Sequence, residues 1–130
     1  MGDLRTQGIV LDAGALIAVE HHDRSVLALC VATVEAGGPV IVPVGVVGQV
    51  WRAGSRQAPL SRLLGARGTI VEPLDLPVAK LAGALCGHAR TKDVLDATVV
   101  IAARRYQARV ITSDGADIRR LDESVSIIDC

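Results

Sequence analysis

Along its whole length the chain alternates short apolar runs with longer stretches of helical periodicity. "GIVL" gives way at Asp12 to a helical pattern of Leu16, Ile17 and Val19, and the apolar helix from Ser25 to Glu35 stops at Gly37-Gly38 before "PVIVP". "VGVVGQVWRAG" reads as the next helix, a further piece surrounds Pro59 to Leu64, and "TIVEPL" precedes a helix that Pro77 opens and that runs through His88. Asp93 to Tyr106 reads as a helix, Arg109 to Thr112 as a strand, Asp117 to Leu121 as a short helix and Val125 to Ile128 as a last strand. Strands separated by helices pair through crossovers, so the pattern predicts an α/β fold with a mainly parallel central sheet covered on both faces.

Size and composition narrow this further. A chain of 130 residues fits one domain, spanning residues 1–130. Half of it is hydrophobic, yet it has one Trp, one Tyr and no Phe, so the interior must be packed from Ala, Val, Leu and Ile. The longest apolar stretches, such as Pro39 to Val47, fall short of the roughly 20 residues that span a bilayer and carry Pro and Gly. Met1 to Gln7 hold Asp3 and Arg5 and no apolar run, which argues against a secretion signal and for a cytoplasmic protein. Cys30 and Cys86 sit inside apolar helical stretches, and an odd count with Cys130 favours reduced thiols.

Two acids follow strands directly: Asp12 after "GIVL" and Asp114 after "RVITS". In an open parallel sheet, ligands bind outside the carboxyl ends of the strands, where the strand order reverses. Asp96 joins them from a helix whose other faces are apolar, through Val94, Leu95, Val99, Val100 and Ile101, so an acid there is costly unless something compensates. Asp93, three positions earlier, shares its face near the helix start, where the macrodipole favours negative charge. Converging carboxylates raise one another's pKa, and a hard Mg²⁺ or Mn²⁺ ion relieves that repulsion. Such an ion can activate water and neutralise a leaving oxygen, which makes phosphodiester hydrolysis the natural reaction class.

Each acid also has a plainer role. Asp12 can cap the helix that follows it, Asp93 reads more readily as an N-cap than as a ligand, and "SDGAD" is a good turn-plus-cap string, with Asp117 preferred as its structural member. Net charge carries no signal, since 14 cations balance 14 acids, and of the cations all but Lys80 and Lys92 are Arg. Arg52, Arg56, Arg62 and Arg67 recur after the second-strand helix and, with Arg104 and Arg105, could form a rim for RNA phosphates or simply a solvated face. His21, His22 and His88 lack metal-ligand spacing, and Trp51 reads as core or oligomer interface.

"IVLDAGALIA", the "VVGQVWR" helix, "DVLDATVVIAA" and "VITSDGADI" resemble, in order and spacing, the four motifs of PIN-domain proteins. The resemblance covers essentially the whole chain, and its compact layout and terminal "SVSIID" are most similar to VapC-type toxins of toxin–antitoxin systems. It implies a PIN-like three-layer α/β/α fold and a Mg²⁺- or Mn²⁺-dependent endoribonuclease acting on RNA such as transfer or ribosomal RNA. The implied partners are a cognate antitoxin protein and a second copy of the chain. Asp12, Asp96 and Asp114 would be the catalytic, metal-binding acids, with Asp93, Asp117 and Gln49 as water-mediated ligands, and Thr112 and Ser113 orienting the site. Arg52, Arg56 and Arg104 are the candidate RNA contacts.

Two departures bear on activity. Gln49 stands where the family motif supplies Glu, which keeps an oxygen donor but loses a charge, and Ala13 and Gly14 remove the hydroxyl that usually follows the first Asp. A catalytically weak domain that binds RNA or antitoxin is therefore the alternative reading. A phosphoacceptor signalling domain is further away, because "PVIVP" and "TIVEPL" end without an acceptor Asp and neither Lys80 nor Lys92 follows a strand.

Overall fold

A computed structural model describes residues 7–130; the reading of the first residues as lacking a secretion signal lies outside them. Five parallel strands form one sheet: β1 (Ile9–Leu11), β2 (Val40–Pro43), β3 (Thr69–Glu72), β4 (Arg109–Thr112) and β5 (Ile127–Asp129). Their order across the sheet is β3-β2-β1-β4-β5. β1 is therefore central, paired through Ile9 with Val40 on one side and through Leu11 with Ile111 on the other. The three side chains of β1 are fully buried, as a strand covered on both faces requires.

The first half of the chain winds outward from β1 and the second half returns past it, and this decides where the helices lie. α1 (Ala13–Glu20) and α2 (Arg24–Glu35) join β1 to β2, and α3 (Val44–Val50) and α4 (Ala58–Gly65) join β2 to β3. α5 (Leu76–Ala89), α6 (Val94–Tyr106) and α7 (Gly115–Leu121) belong to the connections that run the other way, and they pack on one another. Parallel crossovers are right-handed, so reversing the direction of winding puts the two sets on opposite faces and produces three α/β/α layers. The architecture is the PIN-like one expected. α6 lies along β1, β2 and β4, and Ala97, Val99, Val100 and Ala103 bury its inner side.

Several boundaries differ from the sequence reading, each for a local reason. α3 stops at Val50, because Trp51 is extended, so "WRAG" is a connecting segment and not helix. That segment leads into a 3-10 turn at Ser55–Gln57 before α4. α7 starts at Gly115, not Asp117, so Asp114 takes the position preceding the helix and Asp117 lies in its first turn. β5 is shifted toward the end of the chain, at Ile127–Asp129, where Ile128 pairs with Ile111. Cys30 and Cys86 are buried and Cys130 is exposed, all three as free thiols. Trp51 is partly exposed at 39%. Among the described residues no helix is long and apolar enough to cross a membrane.

Candidate functional site

The strand order reverses between β1 and β4, and the carboxyl ends of these two neighbours carry Asp12 and Asp114. The Asp12 amide donates to the Ile111 carbonyl at 3.3 Å, which ties the first acid to the strand that delivers the second. Asp12 is only 4% exposed. Its Oδ1 accepts from the Ala15 amide at 3.0 Å, so the capping role and the site role fall on the same residue. Burial pushes the Asp12 carboxyl up, the Thr112 hydroxyl and the Ala15 and Gly14 amides pull it down, and the charge of Asp114 raises it again.

Thr112, fully buried at the end of β4, joins the two acids. Its Oγ1 accepts from the Asp114 amide at 2.8 Å, and the same hydroxyl pulls the Asp12 carboxyl down. A hydroxyl can do both because it carries one proton to donate and lone pairs to accept. One buried side chain thus fixes the main chain of one acid and favours the charged form of the other. The sequence pointed to Thr112 as an orienting residue; what it left unspecified is this bridge.

Asp96 approaches from the first turn of α6. Asp93 caps that helix through its Oδ1, which accepts from the Asp96 amide at 2.9 Å. The Asp96 carboxyl is raised to about 7, first by burial, then by the charge and hydrogen bond of Asp93, then by the charges of Asp117 and Asp12. Asp93 therefore acts both as cap and as neighbour in the acidic group. Asp117, exposed on α7, contributes its field to the same place. The charges of the five acids thus act on one another in series: Asp114 raises Asp12, and Asp93, Asp117 and Asp12 raise Asp96. Among the described residues no Lys or Arg pairs with any of them, since the ion pairs are Arg104 with Asp122 and Arg105 with Glu72.

Oxygen-only donors, several of them carboxylates that raise one another's pKa, match the preference of a hard divalent cation. They are not drawn into a closed cage: among the described residues no three His, Cys, Asp or Glu side chains stand close enough to hold an ion as they are. Gln49 is exposed on α3 and lines a hollow with Ile17, Glu20, Arg52 and Arg56. The Arg52 guanidinium donates to the carbonyls of Gly48 at 3.3 Å and Trp51 at 2.7 Å. Arg104, in the last turn of α6, pairs with Asp122 at 2.8 Å, about 12 Å along the helix from Asp96. Arg104 is thus not brought to the acids, whereas Arg52 and Arg56 share a hollow with Gln49.

Two features escaped the sequence reading. Gly14 lies directly under the Ser113 side chain: a Cβ there would stand 2.9 Å from Ser113 Cβ and 3.3 Å from its amide nitrogen. Gln57, 5% exposed, organises the segment after α3. It accepts from the Arg52 amide at 2.8 Å and donates to Glu20 Oε2 at 3.0 Å and the Val50 carbonyl at 2.9 Å. A lone Gln in an Arg- and Ala-rich stretch gives no pattern from which either contact could be inferred.

No family model matches the sequence, and no curated protein matches it. Solved structures do match in shape. One is VapBC2 from Rickettsia felis bound to a DNA fragment from their promoter, with a TM-score of 0.71 at 12% identity over 95% of this chain and 99% of that one. FitAB bound to an IR36 DNA fragment matches with a TM-score of 0.62 at 16% identity, over 93% of this chain and 94% of that one. FitAcB from Neisseria gonorrhoeae matches with a TM-score of 0.62 at 18% identity, over 92% and 96% respectively. At these identities the likeness is one of fold, along nearly the full length of both chains.

Proposed function

We propose that this chain is a Mg²⁺- or Mn²⁺-dependent endoribonuclease, the toxin component of a VapBC-type toxin–antitoxin pair, acting in the cytoplasm on transfer or ribosomal RNA. The observation that carries this reading is the acidic end of the sheet, where Asp12 and Asp114 follow neighbouring strands at the reversal of strand order, the charge of Asp12 reaches Asp96, and among the described residues no cationic side chain pairs with them. An antitoxin partner is supported by the shape likeness to VapBC2 and FitAB, and the nuclease activity by the acids. A homodimer of the free chain belongs to the same reading, on the resemblance of its motifs alone.

In this reading Asp12, Asp96 and Asp114 hold the ion, with Asp93, Asp117 and Gln49 reaching it through water. A bound Mg²⁺ supplies Lewis acidity and a water of lowered pKa. The protein's own part is positional. Thr112 fixes the Asp114 backbone and favours the charged Asp12 carboxylate, the Ala15 amide orients that carboxylate, and Asp93 caps the first turn of α6 that carries Asp96. The burial that raises Asp96 also keeps its carboxyl in a poorly hydrated place, where a cation gains more from it than from a carboxylate in water.

The test is cleavage of RNA by the purified chain, freed of any partner protein, in Mn²⁺. Wild type is expected to cut and Asp96→Ala to lose at least about 100-fold, the scale of losing an essential electrostatic group; equal cleavage by both overturns the proposal. A second reading, an RNA- or antitoxin-binding module with little turnover, draws on the acids' failure to close into a ready-made metal site and on Gln49 and Ala13. Gln49→Glu separates the two: a weak site gains cleavage on receiving the charge, and a module without turnover gains none.

A further inference from the structure

The end of α1, the segment between α3 and α4, and the start of α4 enclose two adjoining hollows of ≈ 550 Å³ and ≈ 460 Å³ that share Glu20, Ser55 and Arg56. Gln49 and Arg52 line the first; His21, His22 and Arg62 line the second. Arg52, Arg56, Arg62 and both histidines are exposed. Glu20, the carboxylate that lines both hollows, is drawn inward by its hydrogen bond from buried Gln57. Among the described residues Arg56 and Arg62 have no carboxylate within ion-pair distance. The trough therefore presents uncompensated positive charge along an open surface.

Its walls are held by unusual backbone. His22 and Ala53 both adopt left-handed conformations, with φ of 59° and 57°, at the α1–α2 junction and in the segment after α3. Such a conformation crowds a residue that has a Cβ, and it persists where the surroundings require that turn. The result is a shaped trough and not a loose loop.

The trough also leads toward the acids. Ile17, on its wall, lies five positions along α1 from Asp12, or about 8 Å. Guanidinium groups suit bidentate contact with phosphate oxygens. No Phe, Tyr or Trp lines either hollow, and the guanidinium and imidazole groups that do can donate hydrogen bonds to phosphate oxygens. We propose that this trough, through Arg56 and Arg62 with His21 and His22 beside them, grips the phosphate backbone of the RNA strand that feeds the acidic end of the sheet, without reading its bases. The proposal rests on the RNA-cutting reading for the identity of its ligand.

Binding and cutting can be measured apart. In EDTA, a fluorescein-labelled single-stranded oligoribonucleotide is titrated with protein across a salt series and followed by anisotropy. Arg56→Gln/Arg62→Gln is expected to bind about 10-fold more weakly at low salt. Its slope of log affinity against log salt should fall by about 1.4, because each single-strand phosphate contact contributes roughly 0.7. Lys80→Gln/Arg90→Gln, on α5 and at its C-cap and the same change in net charge, should keep the wild-type slope, and Arg56→Lys/Arg62→Lys should recover most of it. Unchanged affinity and slope in the Gln pair, with an unaltered melting temperature, overturn the proposal, as does an equal loss in the α5 pair. Asp96→Ala should bind RNA in EDTA at least as well as wild type. If Asp96→Ala cuts like wild type while the Gln pair loses its salt slope, the cutting reading fails and the trough stands.

Discussion

The Ser113 side chain occupies the space over Gly14 that a Cβ at residue 14 would fill, its own Cβ only 2.9 Å from that point. The turn after β4 and the first turn of α1 can approach this closely only because residue 14 is glycine, and the approach brings Asp114 beside Asp12. The Ser113 amide nitrogen, at 3.3 Å, is main chain and cannot swing aside. Gly14→Ala gains about 1 kcal/mol of helix propensity but overpacks this contact by about 1–3 kcal/mol. A net loss of about 1 kcal/mol is expected in urea denaturation. Ser113→Gly in the same chain should return most of it, and additivity of the two changes would show that the contact carries no strain.

Thr112 links the acids through one buried hydroxyl. Thr112→Val keeps the shape, leaves the Asp114 amide without its acceptor and takes a donor from Asp12, at a cost of about 1–3 kcal/mol. If the acids bind metal, Mn²⁺ affinity should drop about 10- to 100-fold, as it does when a group that orients ligands is lost. Calorimetry with Mn²⁺ checks this; affinity equal to wild type would mean that Thr112 orients nothing.

The sequence made much of this arrangement readable, for reasons that differ from residue to residue. Asp12 and Asp114 were legible because each directly follows an apolar run, and the fully buried β1 confirms that those runs are strands. Their adjacency was conditional on strand order, which periodicity does not encode; the β1–β4 pairing supplies it. Asp96 was legible as an anomaly, an acid in a helix with apolar flanks. The start of α7 was misplaced because Asp117 is a good capping residue and Gly115 a poor helix former, yet tertiary contact buries Gly115 and draws it into the helix. "WRAG" continued a helical pattern in the sequence, but Gln57 captures the Arg52 amide and holds the segment out of the helix. Contacts made by single side chains across the fold, such as Gln57 with Glu20, leave no period to detect.

Asp96 makes stability fall with rising pH in the metal-free protein. Its carboxyl, ordinarily near 3.8, is raised to about 7 in the fold, so the folded chain retains this proton through a range where the unfolded chain has released it. The contribution is fully present below about pH 4 and is lost as pH rises through about 7. Asp96→Asn removes the buried charge and should flatten this decline, raising the melting temperature at pH 8 in EDTA by a few degrees relative to wild type. A steeper decline in the variant than in wild type would contradict the burial and repulsion assigned to Asp96.

Gln57 is the tie of the segment that carries Arg52 and Arg56. It is 5% exposed and makes three hydrogen bonds, to the Arg52 amide, Glu20 and the Val50 carbonyl. Gln57→Leu fills similar space but leaves the Val50 carbonyl and Arg52 amide short of a partner and frees Glu20 to turn toward the trough. Two unsatisfied groups at about 1–3 kcal/mol each, offset in part by the gain from an apolar side chain in a buried place, give an expected loss of about 2 kcal/mol. Amide exchange should accelerate from Trp51 to Gln57 while the β1 amides keep their protection, because local opening of this segment does not require the sheet to part. Freed Glu20 should also weaken RNA binding in EDTA by adding a carboxylate beside Arg56. Uniform acceleration across the whole chain, or exchange unchanged in that segment, would show that Gln57 does not hold it.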